Sequence, residues 1–250
     1  MSARIELCGV PAAGKSTLCT EALRRLAARG QPFMDRGAMT AAGLKRRDFG
    51  LLGNALAAVI PRWRTEFLGL PHGLNDWHRF VVGHPAFAAR IHEWLAVESM
   101  DAGWRDTVYY ACLATVFEYQ LAQAAPQPVL LDEGFAQRFF TLRGYRGLGR
   151  PGDAAAYAQA MPRPAGLVWV SVPPEVCLAR LRRRPALPVL LQGEPESRLA
   201  QRLAEGQALL EELARELEGR GVPVLRVDGA GNPEAEAARI AEFAAGCPGA

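Results

Sequence analysis

Gly9, Gly14, Lys15 and Ser16 stand in the spacing G-x-x-x-x-G-K-S, and that spacing suits one kind of chemistry. A phosphate chain needs several N–H donors converging on one point, a backbone that can approach closely, and a positive charge beside the oxygens. A glycine loop between a strand and a helix supplies all three, with the helix dipole behind it. Gly9 and Gly14 permit the tight turn, and Pro11, Ala12, Ala13 and Thr17 complete the expected ATP-binding run. Lys15 is expected to reach the β- and γ-phosphates and Ser16 to offer its hydroxyl to Mg²⁺. One of the only two lysines in the chain sits in this loop, the other being Lys45.

Asp132 and Glu133 follow the apolar run Val129 to Leu131. In a loop protein of this kind an acid emerging from a buried strand beside the first one meets hydrated Mg²⁺ or the attacking group. Asp132 is therefore expected, with Ser16, on the metal. Glu133 has two readings: it orients or deprotonates an acceptor, or it caps the helix that follows. Arg180 with Arg182, Arg183 and Arg184, followed by a Pro- and Gly-containing stretch to Ser197, reads as an arginine-bearing lid over residues 182–197. Arg184 is the catalytic candidate, because phosphoryl transfer gains from cations at the equatorial oxygens. The bland alternative is a solvated helix end that suits arginine by its dipole.

The elements that must position these groups alternate. Arg4 to Cys8 reads as a strand, Ser16 to Ala28 as a helix stopping at Gly30, and Val129 to Leu131 and Leu167 to Val172 as buried strands. Pro174 to about Arg183 reads as a helix, with proline tolerated in its first turn. Leu199, Leu203, Leu210, Leu213 and Leu217 recur three and four apart between charges, the mark of an amphipathic helix lying on the sheet. Val222 to Val227 adds a strand and Pro233 to Ala245 a last helix. This order predicts an α/β, three-layer P-loop NTPase fold in one domain over 1–250: a parallel sheet of about five strands with helices on both faces. Residues 31–127 read as a mostly helical insertion on the acceptor side, with a strand only at Pro32 to Met34. Ligands in such sheets lie beyond the carboxyl ends of the strands. Asp35, Arg36, Arg138 and, at the head of a helix, Arg105 are the acceptor-binding candidates. Trp63-Arg64 and Trp77-His78-Arg79 match no recognition pattern.

Composition narrows the classes. A net charge of +3 without a basic stripe gives no reason for a nucleic-acid partner, while an isoelectric point of about 8.7 suits an anionic small molecule. Five scattered cysteines with no C-x-x-C spacing argue against a disulfide framework and fit a reducing cytoplasm. The four histidines form no zinc-ligand pair. No signal segment or bilayer-length apolar run is present, so neither export nor a membrane is expected.

The order of parts resembles the P-loop kinases of the thymidylate kinase and deoxynucleoside kinase group. The likeness rests on Gly9 to Thr17, on Leu130 to Glu133, on Val170 to Val176 followed by Leu178 to Arg184, and on Val227-Asp228-Gly229. It implies that Arg180 or a neighbour lies against adenine, that the cluster near Arg184 belongs to the lid, and that backbone around Gly229 and Ala230 lines the base site. The chain departs where those families place an arginine after the strand-end acid: Glu133 stands there instead, and a second negative charge disfavours a monophosphate acceptor. The reading that results is an ATP-dependent small-molecule kinase with Mg²⁺ as cofactor, ATP and a small nucleoside-like or other acceptor as partners, and room for a homodimer. The alternatives are an ATP hydrolase, with Glu133 activating water, and a nucleotide-binding regulator without turnover.

Overall fold

The computed structural model describes residues 2–46, 70–97, 102–144, 147, 149–188 and 191–249. Trp63-Arg64 and two positions of the 182–197 segment lie outside these residues. Four strands form one parallel sheet: β1 (Arg4–Cys8), β2 (Val129–Leu131), β3 (Gly166–Ser171) and β4 (Val224–Asp228), in the order β2-β1-β3-β4. Ile5 sits opposite Leu130 on one side and Gly166 on the other. Every residue of β1 is buried, odd and even alike, so both sheet faces are covered, as parallel sheets require.

The sheet has four strands where about five are expected. The missing one is reduced to a single residue: Met34 bridges Val129, its N–H reaching Pro128 O at 2.8 Å and its carbonyl accepting from Leu130 N at 3.0 Å. The physical reason lies on both flanks. Pro32 has no N–H to give a ladder, and the Asp35 carboxylate already accepts from Ala38 N at 2.6 Å, which starts α2 (Arg36–Arg46).

Helix α1 (Lys15–Ala28) follows the glycine loop and buries Leu18, Cys19, Ala22 and Leu26. It packs against the last helix, α10 (Pro233–Gly246), whose start is capped by the Asn232 side chain on Glu234 N and Ala235 N. Between them in sequence come α3 (Leu70–Gly83), α4 (Pro85–Val97), α5 (Ala102–Gln123), α6 (Phe135–Phe139), a π-helical turn (Phe140–Gly144), α7 (Asp153–Ala160), α8 (Pro174–Arg182) and α9 (Glu196–Gly219). On α9 the five leucines of the sequence pattern are all buried, each contributing about 1.5–3 kcal/mol relative to exposure. An aromatic cluster of Phe80, Phe87, Trp94, Phe135, Phe139 and Tyr157 fills the space between α3, α4, α6 and α7. No helix among the described residues is long and apolar enough to cross a membrane.

Beneath this frame lies a buried ion pair on the central strand. Arg4 Nε meets Glu6 Oε1 at 2.8 Å, with both side chains at most 5 % exposed. Arg4 Nη2 donates to Pro162 O at 2.6 Å and the guanidinium lies 4.8 Å over the Tyr119 ring. Glu6 Oε2 accepts from Ala136 N at 2.9 Å, so the central strand grips the first turn of α6 and, through it, the preceding loop that carries Asp132 and Glu133. Gly134 is needed for that approach, because a Cβ there would fall on the Glu6 carboxylate.

Candidate active site

The loop between β1 and α1 takes the conformation its glycines allow. Gly14 has φ +97° and caps α1, a left-handed geometry that glycine adopts without penalty; Ala12 is also left-handed, at φ 65°. Lys15 is buried, and its ammonium donates to Gly9 O at 2.8 Å and Val10 O at 3.3 Å. Burial pushes its pKa down, while Glu133, 4.0 Å away, opposes the shift.

The end of β2 lies beside this loop, as the strand order β2-β1 dictates. Ser16 Oγ donates to Asp132 Oδ2 at 2.9 Å. The other oxygen, Oδ1, faces Arg36 Nη2 at 3.5 Å, and Arg36 Nε meets Glu118 Oε1 at 2.9 Å. Serine hydroxyl, aspartate, arginine and glutamate thus run in a line from α1 to α5. Burial pushes the Glu118 carboxyl up to about 7 against the pull of Arg36 and Arg138. Burial raises Glu133 as well, but Arg138, Lys15 and Arg36 together outweigh it and bring its pKa below the ordinary value. Arg138 Nη2 holds Glu133 Oε2 at 2.9 Å. The α6 amide at Ala136 is taken by Glu6, and the Glu133 side chain pairs with Arg138 and Lys15.

A cleft of about 310 Å³ is lined by the loop from Pro11 to Thr17 with Glu133, Gln137, Arg184 and Pro188. Among the three consecutive arginines it is Arg184 that lines it; Arg182 is exposed and pairs with Glu196 at the head of α9. Arg180 spends its guanidinium on backbone: Nη1 on Ala12 O at 3.1 Å and Ala13 O at 3.3 Å, Nη2 on Gly229 O at 2.8 Å. It laces the loop to the turn after β4. Gly229 N in turn donates to Ser171 O at 2.8 Å.

The acceptor-side candidates divide. Arg36 and Arg138 come to the strand ends beside Asp132 and Glu133, and Asp35 caps α2 next to them. Arg105 does not join them. It is exposed at the start of α5, thirteen residues before Glu118, which at 1.5 Å per residue is about 20 Å along the helix. Glu118, Gln137 and Glu6 escaped the sequence reading. Glu118 carried a signal, a lone acid within the apolar run from Ala111 to Ala122; Gln137 carried another, four residues after Glu133 in the segment that becomes α6.

The donor set at Ser16 and Asp132 is hard oxygen, two protein groups 2.9 Å apart and part-exposed. That fits Mg²⁺, which keeps waters and takes one or two protein oxygens plus phosphate rather than a full protein cage. No group of three or more His, Cys, Asp or Glu that could hold a metal occurs among the described residues.

No protein-family model matches the chain, and no curated protein matches it. Solved structures do. The chain is similar to a deoxyadenosine kinase from M. mycoides with products dCMP and a flexible dCDP bound, at a TM-score of 0.51 and 13 % identity, covering 96 % of this chain and 97 % of that one. The same kinase with bound dCTP matches at a TM-score of 0.47, 13 % identity and the same coverage. The chain shares the fold of that deoxyadenosine kinase.

Proposed function

We propose that the chain is an ATP-dependent phosphotransferase that moves the γ-phosphoryl group of ATP to a hydroxyl of a small, nucleoside-like acceptor. One observation carries this reading: the glycine loop with Lys15, the Ser16–Asp132 pair, Glu133 and the lid residue Arg184 stand together around a single cleft. The loop from Gly9 to Thr17 would grip the phosphates, with Arg180 and Gly229 bracing its far side. Mg²⁺ held by Ser16 and Asp132 would draw charge from the phosphate oxygens. Asp132 has both oxygens engaged, by Ser16 and Arg36, which suits a fixed metal-side role. Glu133, kept anionic by Arg138 and Lys15, would orient the acceptor and take its proton. In that step the hydroxyl O–H bond breaks, its oxygen bonds to the γ-phosphorus, and the bond from phosphorus to the β–γ bridging oxygen breaks, releasing ADP. Lys15 and Arg184 would offset charge on the moving group.

Arg36 and Arg138 already hold Glu118 and Glu133, so the acceptor side favours hydroxyls over a phosphate ester. The likeness in fold to a deoxyadenosine kinase supports a nucleoside-like acceptor. The test is ADP release from ATP and Mg²⁺ with and without a panel of nucleosides, nucleotides, sugars and amino alcohols. Saturable, acceptor-dependent release with a phosphorylated product is expected. Equal release without acceptor would make the chain a hydrolase instead, and binding of nucleotide without release under any condition would make it a regulator.

A further inference from the structure

Gln137 is 3 % exposed and yet lines the cleft. Its Oε1 accepts from Gly9 N at 3.1 Å. Because a backbone N–H can only donate, the amide oxygen must face the loop, and this fixes the orientation of the whole group. Its Nε2, with two N–H donors, is left on the other side and makes no hydrogen bond among the described residues.

The position of that donor follows from Gly9. Lys15 Nζ lies 2.8 Å from Gly9 O, and the same residue gives its N–H to Gln137. The lysine ammonium and the glutamine amide therefore flank one residue at the head of the loop. Lysine in such a loop reaches the β- and γ-phosphates, and Glu133, one helical turn before Gln137, lines the same cleft. The side chain is otherwise buried, so this NH₂ can find a partner only through the cleft, from water or from a ligand rich in acceptor oxygens, and the end of the phosphate chain is such a ligand.

We infer that Gln137 Nε2 donates to an oxygen of the ATP γ-phosphate, so that this residue distinguishes ATP from ADP. The inference rests on the nucleotide reading of the loop. The neutral donor holds the terminal phosphate without drawing the acceptor's attacking oxygen away from Glu133, while its carbonyl keeps the loop's first amide satisfied. It is a substrate-contacting residue, separate in role from Lys15 because it adds direction and no charge.

The experiment is calorimetric titration of the full chain with ADP and with a non-hydrolysable β,γ-imido analogue of ATP, both with Mg²⁺. Wild type is compared with Gln137→Glu at mildly alkaline pH and with Gln137→Met. Glutamate keeps an acceptor for Gly9 N and replaces the donor with an anion; methionine removes both partners at similar volume. The readout is the ratio of analogue to ADP affinity, which a merely structural loss at Gly9 would leave alone because it weakens both ligands together. The ratio is expected to fall roughly tenfold or more in each variant, the span of one lost hydrogen bond to a charged group. An unchanged ratio in a folded variant that still binds ADP overturns the inference, and either variant suffices if the other does not fold. Failure of the wild type to bind either ligand would instead sink the nucleotide reading itself.

Discussion

Ser16 and Asp132 share a hydrogen bond of 2.9 Å that joins the first turn of α1 to the end of β2. The two residues are far apart in sequence and adjacent because β1 and β2 are neighbours in the sheet. On the proposed function they act as a unit on Mg²⁺. Asp132→Asn is expected to raise the Mg²⁺ concentration for half-maximal ADP release about tenfold or more, and Ser16→Ala to do the same to a lesser degree. The double variant should lose less than the product of the two single losses, since groups in one network do not add. Independent, multiplicative losses would separate the pair.

Lys15 donates to its own loop and approaches Glu133. Lys15→Ala is expected to lower transfer about 10²-fold or more, the scale set by removing a donor from developing charge, while circular dichroism and thermal melting report a folded chain. Full turnover in that variant would remove the lysine from the chemistry.

Glu133 is clasped by Arg138 and held anionic. Glu133→Gln should cut kcat by about 10²–10⁴-fold, the range for a positioned proton acceptor, and leave ADP affinity equal or tighter because one negative charge near the phosphates is gone. Because its pKa lies below the ordinary 4.5, the wild-type rate should show no acid limb from this group at higher pH. A wild-type kcat in the glutamine variant would assign the base elsewhere.

Glu118 titrates at about 7 when folded, against 4.5 as an ordinary glutamate. Between those values the folded state holds a proton that the unfolded chain has lost. Stability from this group is therefore full below 4.5 and declines as pH rises through about 7, by an amount on the order of 3 kcal/mol. Glu118→Gln abolishes that titration. The melting temperature of wild type minus that of the variant should fall as pH is raised from about 5 to about 8; a flat difference would show that the carboxyl is not perturbed.

The glycine loop was legible because its signals are local: five strand residues, a glycine turn and a helix that buries Leu18, Ala22 and Leu26 in order. The same holds for α9, where the leucine spacing alone marks the face that is buried. The expected strand at Pro32 to Met34 failed for an equally local reason, a proline on one side and a helix cap on the other, whose competition with the ladder only the fold resolves. Glu133 was ambiguous between a base and a cap. What the sequence could not show is that Glu6, a residue of β1, takes the α6 amide at Ala136 while Glu133 pairs with Arg138.

By itself the sequence determined the order of the four strands and of the helices that begin at Lys15, Pro174, Glu196 and Pro233, the glycine loop between β1 and α1, and the acid at the end of β2, because each follows from neighbours along the chain. Only the tertiary structure decided which distant groups meet: Arg36 with Glu118 and Asp132, Gln137 with Gly9, Arg180 with the loop carbonyls, and Arg105 with none of these site groups. Those pairings depend on strand order and helix packing, which bring together residues between 82 and 168 positions apart, and no spacing along the chain encodes such a distance.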